Sequence, residues 1–266
     1  MNNALLMNII VFIKQVPETS SVHINPETNT LMRDGVASIM NPFDEFALEI
    51  ALQLKEERGA EITAISMGPP QAKAVLREAL ARGADRAFLL SGVEFAGSDT
   101  WATSYALAQA VKRMCASPDL LLFGRQAIDG DTAQVGAGVS EFLNLPLVSN
   151  VLKIEINAQN FVVETVDDHG SAWIEGNLPV VLSVAKGEQA LRFASLAGWL
   201  DYADDDAIKV LSAADIEADP ALCGISGSPT KVNQIFTPPT RSGGVKIDAS
   251  HDGELGATVI LQEMAN

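Results

Sequence analysis

Cysteine, histidine and basic side chains are scarce in this chain of 266 residues. The two cysteines, Cys115 and Cys223, lie far apart, and the 3 histidines are scattered singly. This usage predicts a reducing, cytoplasmic location, no disulfide framework and no metal site built from clustered ligands. With 18 basic and 34 acidic residues the net charge is −16, and no basic stripe appears. The charge balance therefore argues against a nucleic-acid partner.

Catalytic motifs and long apolar runs are also lacking. The sequence has no Walker A motif, no G-x-S-x-G elbow and no H-E-x-x-H pair, so no catalytic acid, base or nucleophile is assigned. The apolar stretch at residues 5–13 is closed by Lys14. It is shorter than a membrane span requires and lacks the basic start and cleavage site of a signal peptide. We therefore expect a first strand there and no membrane insertion.

Strand and helix patterns alternate along the first part of the chain. We predict strands at residues 8–13, 61–66, 86–90, 119–123 and 179–184, and helices from Asn41 to Gly59, at 71–82, at 98–113 with Ser98 as its cap, and after Asp131. This alternation is typical of an α/β fold with a doubly wound, mostly parallel sheet. Ligands of such sheets bind outside the carboxyl ends of the strands.

The pattern changes after Pro146. Short alternating runs at residues 151–156, 161–166 and 171–175 predict an antiparallel extension spanning about 150–176. Beyond Lys186 the periodicity fades, and residues 226–244 are rich in Pro, Gly and Ser. We expect one domain at 1–185 and, at 186–266, an arm that wraps a partner; an ordinary flexible tail is the alternative.

The segment at residues 119–136, DLLLFGRQAIDGDTAQVG, is the most informative part of the chain. A short apolar strand leads into a loop in which Asp129, Asp131 and Thr132 offer N-cap or first-turn chemistry for a helix through Val135. A helix that starts just past a parallel strand presents free N–H groups and the positive end of its dipole to a phosphate. An ordinary βα turn with a capped helix would have the same pattern.

Residues 124–136 closely resemble the nucleotide-binding signature of electron-transfer flavoprotein β subunits. Four further blocks match that family in order: IKQVP at 13–17, SIMNPFD at 38–44, SMGP at 66–69 and RGADR at 82–86. The resemblance implies a Rossmann-like, doubly wound, mostly parallel sheet, here with a small antiparallel extension and a long C-terminal arm. It also implies a heterodimer with an electron-transfer flavoprotein α subunit that carries FAD.

The resemblance implies three groups of cofactor-binding residues: Asn41, Pro42, Phe43 and Asp44; Ser66 and Met67; and Gly124, Arg125, Gln126, Ala127, Ile128, Asp129, Gly130, Asp131, Thr132, Ala133, Gln134 and Val135. We expect the amides of residues 131–135 to hold phosphates, with Gly130 permitting close approach of the backbone. Gln126 and Ala127 would flank the sugar or base. Asn41 would act either as both helix cap and ligand contact, or as a cap alone.

Within the family, some β subunits hold AMP as a structural filler, whereas others hold a second FAD, oxidise NADH and bifurcate the electron pair. GSDTWAT at 97–103 resembles the bifurcating and nitrogen-fixation branches, as do residues 227–232 and 236–239. This resemblance implies FAD, with Thr100 and Thr103 approaching the flavin. It further implies electron transfer to an acyl-CoA dehydrogenase-like partner and to ferredoxin or flavodoxin. Local packing of the two threonines, structural AMP, or a nucleotide-binding sensor module are the alternatives.

RFASL at residues 192–196 aligns with the partner-recognition loop of the family, and Leu196 falls on its anchoring leucine. The family's following segment is rich in Lys and Arg, whereas this chain has Asp204, Asp205 and Asp206. A reversed charge predicts a client with a basic docking face. A solvated acidic loop without a docking role is the alternative.

Overall fold

The computed structural model describes residues 6–18, 23–25, 30–32, 37–115, 117–202, 204–233 and 253–264. The strands are β1 (Met7–Phe12), β2 (Gln15–Pro17), β3 (His23–Asn25), β4 (Thr30–Met32), β5 (Ser38–Met40), β6 (Ala60–Met67), β7 (Arg86–Leu90), β8 (Leu120–Gly124), β9 (Leu147–Asn157), β10 (Asn160–Asp167), β11 (Gly170–Asn177), β12 (Val180–Val184) and β13 (Ile208–Leu211). The α-helices are α1 (Pro42–Arg58), α2 (Lys73–Arg82), α3 (Thr100–Met114), α4 (Val135–Leu143), α5 (Leu196–Asp201), α6 (Gly224–Gly227) and α7 (Gly253–Met264).

Nine strands form the main sheet in the order β11-β10-β9-β12-β8-β1-β6-β7-β13. The pairs from β9–β12 to β7–β13 are parallel, whereas β9, β10 and β11 form an antiparallel meander at one end. The predicted α/β class, mostly parallel sheet and antiparallel extension are confirmed. The described residues also form two-stranded sheets from β2 with β5 and from β3 with β4.

Alternate residues of the central strands face opposite sides of the sheet, and both sides are covered. In β1, Ile9 and Val11 lie in the core with α1 and α2, whereas Ile10 and Phe12 lie in the core with α3 and α4. All four side chains are buried. A strand covered on both faces must be apolar throughout, which is why the short apolar runs were readable as central strands.

The order of the strands creates a crevice at the carboxyl ends of β1 and β8. The chain proceeds from β1 through β6 to β7 on one side of β1, and then crosses to β8 and β12 on the other side. In doubly wound sheets this switch point opens a crevice beyond the carboxyl ends of the two flanking strands. Here those ends are Lys14, which follows β1, and Gly124, which ends β8.

Two elements of the C-terminal part, β13 and α7, lie where the sequence predicts irregular structure. Residues 208–211 were expected to be irregular, but they form β13, which pairs in parallel with β7. Contacts divide the chain into two units, residues 1–23 with 31–233 and residues 24–30 with 234–266. The second unit contains α7, a helix of 12 residues. Residues 236–239 lie outside the described part of the chain, and the wrapping arm stays a prediction.

Candidate functional site

Asp44 joins three elements at the carboxyl edge of the sheet. It lies in the first turn of α1, and its two carboxylate oxygens accept hydrogen bonds from the Lys14 amide at 2.7 Å and the Gly124 amide at 3.2 Å. A Cβ on Gly124 would lie 2.2 Å from Asp44 Oδ1 and 2.7 Å from the Asp44 and Phe43 backbone atoms. Glycine is therefore required at position 124, because α1 approaches the end of β8 too closely for a side chain.

Burial sets the protonation of this carboxyl group. Asp44 is only 6% exposed. Burial raises its pKa to about 7, although the hydrogen bonds from Asn41 and from the Lys14 and Gly124 amides act in the opposite direction. The N-terminus of α1 thus carries an acid that is largely neutral below neutral pH. A neutral acid does not repel an anion bound at this edge.

Asn41 ties the loop after β8 to the start of α1. It occupies the N-cap position, followed by Pro42, as expected. Its side chain makes no capping hydrogen bond, which corrects the expectation of a side-chain cap. Instead, Asn41 Nδ2 donates to the Gln126 carbonyl at 2.8 Å, and its Oδ1 accepts from the Ile128 amide at 3.2 Å. Asn41, which is only 1% exposed, thus fixes the position of the loop.

The loop between β8 and α4 folds on itself before the helix begins. The carbonyl of Ala127 accepts hydrogen bonds from the Gly130 amide at 3.3 Å and the Asp131 amide at 2.8 Å. The Gln126 side chain donates to the Asp131 carboxylate, and Lys14 Nζ lies 2.6 Å from Asp129 Oδ1. Lys14 was not among the expected site residues, since its partner lies 115 positions away.

The expected capping of α4 is wrong. The helix begins at Val135, with Gln134 at the N-cap position and no side-chain capping bond. Asp131 and Ala133 adopt left-handed backbone conformations with φ of 54° and 55°. Asp131 lies ahead of the N-cap position, and its carboxylate accepts a hydrogen bond from the Gln126 side chain instead of from the first turn of the helix.

Three successive amides remain available at this point. Within the part of the chain that the structure describes, the amides of Thr132, Ala133 and Gln134 have no hydrogen-bond acceptor. The Asp131 amide, in contrast, is already bonded to Ala127. Unpaired amides ahead of a helix N-terminus suit the oxygens of a phosphate. The residues present therefore fit a nucleotide, with the amides of residues 132–134 as its phosphate cradle.

The N-terminus of α3 lies beside the same loop, on the face of the sheet opposite α1. Thr100 Oγ1 donates to Gln134 Oε1 at 2.9 Å, so the helix and the loop are directly joined. Thr103 lies nearly one turn further and is half-buried. A threonine hydroxyl that donates one hydrogen bond still has lone pairs to accept another, which suits a ligand N–H group.

Asp99, not Ser98, caps α3. The Asp99 carboxylate accepts from the amides of Trp101 and Ala102, both at 3.0 Å. Its second oxygen accepts from the amide and the hydroxyl of Thr230, at 2.9 and 2.8 Å. The Ser98 hydroxyl is occupied elsewhere, because it donates to the Phe95 carbonyl and accepts from the Gly224 amide. The sequence-based prediction of Ser98 as the cap of this helix is therefore wrong.

Ser66 and Met67 end β6 beside the exit of β1. The Ser66 hydroxyl is buried and, among the described residues, has no hydrogen-bond partner. A buried hydroxyl without a partner costs free energy unless a ligand or water satisfies it. This orphaned group is a second observation consistent with a ligand at this edge.

The predicted cofactor-binding residues differ in exposure. Asn41, Asp44 and Ser66 are buried; Pro42, Phe43, Met67, Thr100, Thr103, Gly124, Gln126, Ala127 and Val135 are half-buried; Arg125, Ile128, Asp129, Gly130, Asp131, Thr132, Ala133 and Gln134 are exposed. The buried side chains organise the backbone, whereas the exposed loop presents amides to solvent.

The predicted docking residues belong to a different part of the larger unit. Leu196 begins α5, which packs against α2, and its side chain is 77% exposed. Asp204 and Asp206 are exposed as well. The segment thus presents apolar and acidic groups to solvent.

Other kinds of site find no support in the described ranges. No group of three or more His, Cys, Asp or Glu side chains there is placed to hold a metal ion. No helix among the described residues is long and apolar enough to cross a membrane.

Comparison with known proteins identifies related chains over nearly the full length. The family model described as "Electron transfer flavoprotein domain" matches residues 28–214. An electron transfer flavoprotein subunit beta from Thermoanaerobacterium thermosaccharolyticum is 47% identical over 238 residues, covering 90% of this chain and 91% of the relative. The caffeyl-CoA reductase-Etf complex subunit CarD from Acetobacterium woodii is 44% identical, covering 96% and 97%. Protein FixA from Sinorhizobium fredii is 43% identical, covering 91% and 87%.

Proposed function

Because this chain belongs to the electron transfer flavoprotein family, as a β subunit, we propose that it pairs with an α subunit and holds FAD at the crevice between β1 and β8. The observation that carries this proposal is the cradle of free amides at residues 132–134, joined to the start of α3 through Thr100 and Gln134. FAD would supply hydride transfer and single-electron transfer, which no side chain of this protein can provide. NADH is the proposed hydride donor. An acyl-CoA dehydrogenase-like protein and ferredoxin or flavodoxin are the proposed acceptors.

The chain's own residues bind and orient the cofactor. The amides of Thr132, Ala133 and Gln134 would bind diphosphate oxygens at the positive end of the α4 dipole. Asn41 holds the loop in place through its hydrogen bonds to the Gln126 carbonyl and the Ile128 amide. Below pH 7 Asp44 is largely protonated and does not add negative charge beside the phosphates. Thr100 and Thr103 would face the flavin and adjust its redox potential through their hydroxyl groups. Their position beside the phosphate loop supports FAD over AMP, which has no flavin ring to contact.

The number of flavins distinguishes the two nucleotides. We expect the purified heterodimer to carry two FAD molecules, one held by each subunit, and to lose flavin absorbance when NADH is added without oxygen. The measurement is extraction of the nucleotides, their quantification by chromatography, and a visible spectrum before and after NADH. One FAD together with one AMP per heterodimer would establish the structural-filler alternative. A complex without any adenine nucleotide in this subunit would refute the site itself.

We also propose that the segment after Arg192 docks a client protein whose docking face is basic. The supporting features are the exposed Leu196 and the acidic residues that follow it. Complementary charge steers association and raises its rate, most strongly at low ionic strength.

Replacing Asp204, Asp205 and Asp206 together by lysine should slow reduction of the client roughly tenfold at low salt. The reduction rate of the variant with three asparagines should lie between those of the wild type and the triple-lysine variant, because asparagine makes half of the charge change that lysine makes. The measurement is the rate of reduction of a purified acyl-CoA dehydrogenase from the same organism, as a function of salt. Replacing three exposed acids of the β9–β11 meander, Glu155, Asp168 and Glu175, by lysine gives a control with the same charge change. Equal rates in both triple variants would remove the docking role of the acidic residues.

A further inference from the structure

Arg192 is clasped to α1 by two glutamates. Its Nε and Nη2 donate to the Glu49 carboxylate at 3.0 and 2.9 Å, and its backbone amide donates to the same carboxylate at 3.1 Å. Its Nη1 and Nη2 also donate to Glu56, two turns further along α1. A guanidinium group is suited to this because its planar fork can hold two carboxylates at once.

The Glu49 side of the clasp is buried. The Glu49 side chain is 5% exposed, whereas that of Glu56 is 65% exposed. Burial alone would raise the pKa of Glu49, but the hydrogen bonds from Arg192 outweigh it and lower the pKa overall. The Glu49 carboxylate also accepts a hydrogen bond from Gln53 Nε2 at 3.1 Å, but its positively charged partner is Arg192. Separating Glu49 from Arg192 would leave a buried charge without its ion-pair partner, which fixes the position of the arginine.

A second fixed point lies six residues further along. The Ser195 hydroxyl caps α5 by accepting from the Gly198 amide at 2.9 Å. A Cβ on Gly198 would lie 2.3 Å from the carbonyl oxygen of Ala81, so α5 rests directly on the backbone of α2. The segment is therefore held at Arg192 and at Gly198.

Between these points two large apolar side chains face solvent. Phe193 is 93% exposed and Leu196 is 77% exposed. Buried interface anchors are typically aromatic or apolar side chains that enter a pocket of the partner. Because the backbone on both sides of these anchors is already held, less backbone entropy is lost on binding and affinity is higher.

We propose that Arg192 is a positioning residue, whose clasp on Glu49 and Glu56 presents Phe193 and Leu196 as a preformed pair of anchors to a client protein. The occupant is a protein with an apolar cleft bordered by Lys or Arg side chains. Charge complementarity supports this choice, since the exposed Asp201, Asp204 and Asp206 follow the anchors directly. The inference rests on the proposed docking function and adds to it a second anchor and the device that fixes both.

The test compares Arg192→Lys with Phe193→Ala and Leu196→Ala in the heterodimer. Lysine keeps a positive charge beside Glu49, so the fold is retained, but one ammonium group cannot hold both glutamates. Arg113→Lys is the matched control, because Arg113 pairs with Glu217 on an exposed surface. The measurements are kcat and KM for a purified acyl-CoA dehydrogenase from the same organism, amide hydrogen exchange at residues 193–200, flavin content and Tm.

We expect Arg192→Lys to raise KM about tenfold and to leave kcat and flavin content unchanged, with faster exchange at residues 193–200. Each alanine variant should raise KM about 30-fold. If only the alanine variants raise KM, the clasp is refuted and the docking surface stands. A raised KM in Arg192→Lys without faster exchange would mean direct contact with the client, which also refutes the positioning role. If none of the three changes KM while Arg113→Lys behaves like the wild type, the proposed docking function itself is wrong.

Discussion

Gly124→Ala is expected to destabilise the protein by at least about 3 kcal/mol and to leave it without bound nucleotide. The added methyl group would lie 2.2 Å from Asp44 Oδ1 and 2.7 Å from backbone atoms at the start of α1. Backbone cannot yield as a flexible side chain does, so α1 must move away from β8. That movement breaks the hydrogen bond from the Gly124 amide to Asp44 and pulls Asn41 away from the loop. The measurements are chemical unfolding and nucleotide content of the purified heterodimer.

Gly130→Ala is the matched control for this prediction. A Cβ at Gly130 meets no atom within 4 Å, so the stability should change by less than about 0.5 kcal/mol. The sequence-based expectation that Gly130 lets the backbone approach a phosphate predicts weaker nucleotide binding in this variant, so it is a control for stability only. A Gly124→Ala protein with normal stability and a full complement of nucleotide would refute the close approach of α1 and β8.

The elements that place the site were predictable from the sequence because their cores obey simple periodicities. A central parallel strand is apolar on both faces, and β8 contains the buried run LLLF. The short strand β13 gave no such signal, because only Ile208 of its four residues is buried and Val210 is 48% exposed. An edge strand of this length takes its structure from β7, which no local pattern reveals.

The segments that meet at the site were also predictable, but their hydrogen bonds were not. The predicted alternation of parallel strands and helices places the N-terminus of α1 and the loop after β8 at the same edge of the sheet. Whether Asn41 caps its own helix or reaches across to Gln126 depends on the distance to a residue 85 positions away. The late start of α4 has the same origin, since the left-handed Asp131 is held by hydrogen bonds to the Ala127 carbonyl and from the Gln126 side chain. The local sequence therefore does not predict the partner of Asn41 or the first residue of α4.

The clasp of Arg192 shows how far this limit extends. Its partner Glu49 lies 143 positions away in the sequence and is buried in the middle of α1. A glutamate at that position of an amphipathic helix would ordinarily be assigned to the solvated face. Only the fold reveals that this carboxylate is paired and that the pair fixes an otherwise exposed segment.

The protonation of Asp44 should make the stability depend on pH in a direction unusual for an aspartate. Its folded pKa, raised to about 7 by burial, lies above its ordinary value of 3.8, so its contribution to stability is fully present below pH 3.8 and is lost as the pH rises through 7. Between pH 5 and pH 8 the wild type should lose roughly 3 kcal/mol relative to Asp44→Asn, which has no proton to release. The measurement is urea unfolding of both proteins across this range.

Glu49→Gln is the control, because the folded pKa of Glu49 is lowered instead of raised. Glu49 contributes stability above its ordinary pKa and loses that contribution only as the pH falls through the lower, folded value. The difference between the wild type and Glu49→Gln should therefore stay constant between pH 5.5 and pH 8, where the group is ionised in both the folded and the unfolded state. A wild type that parallels Asp44→Asn over the same range would mean that Asp44 is ionised when buried. The N-terminus of α1 would then repel a bound phosphate, and the diphosphate would have to be held by the α4 side of the crevice alone.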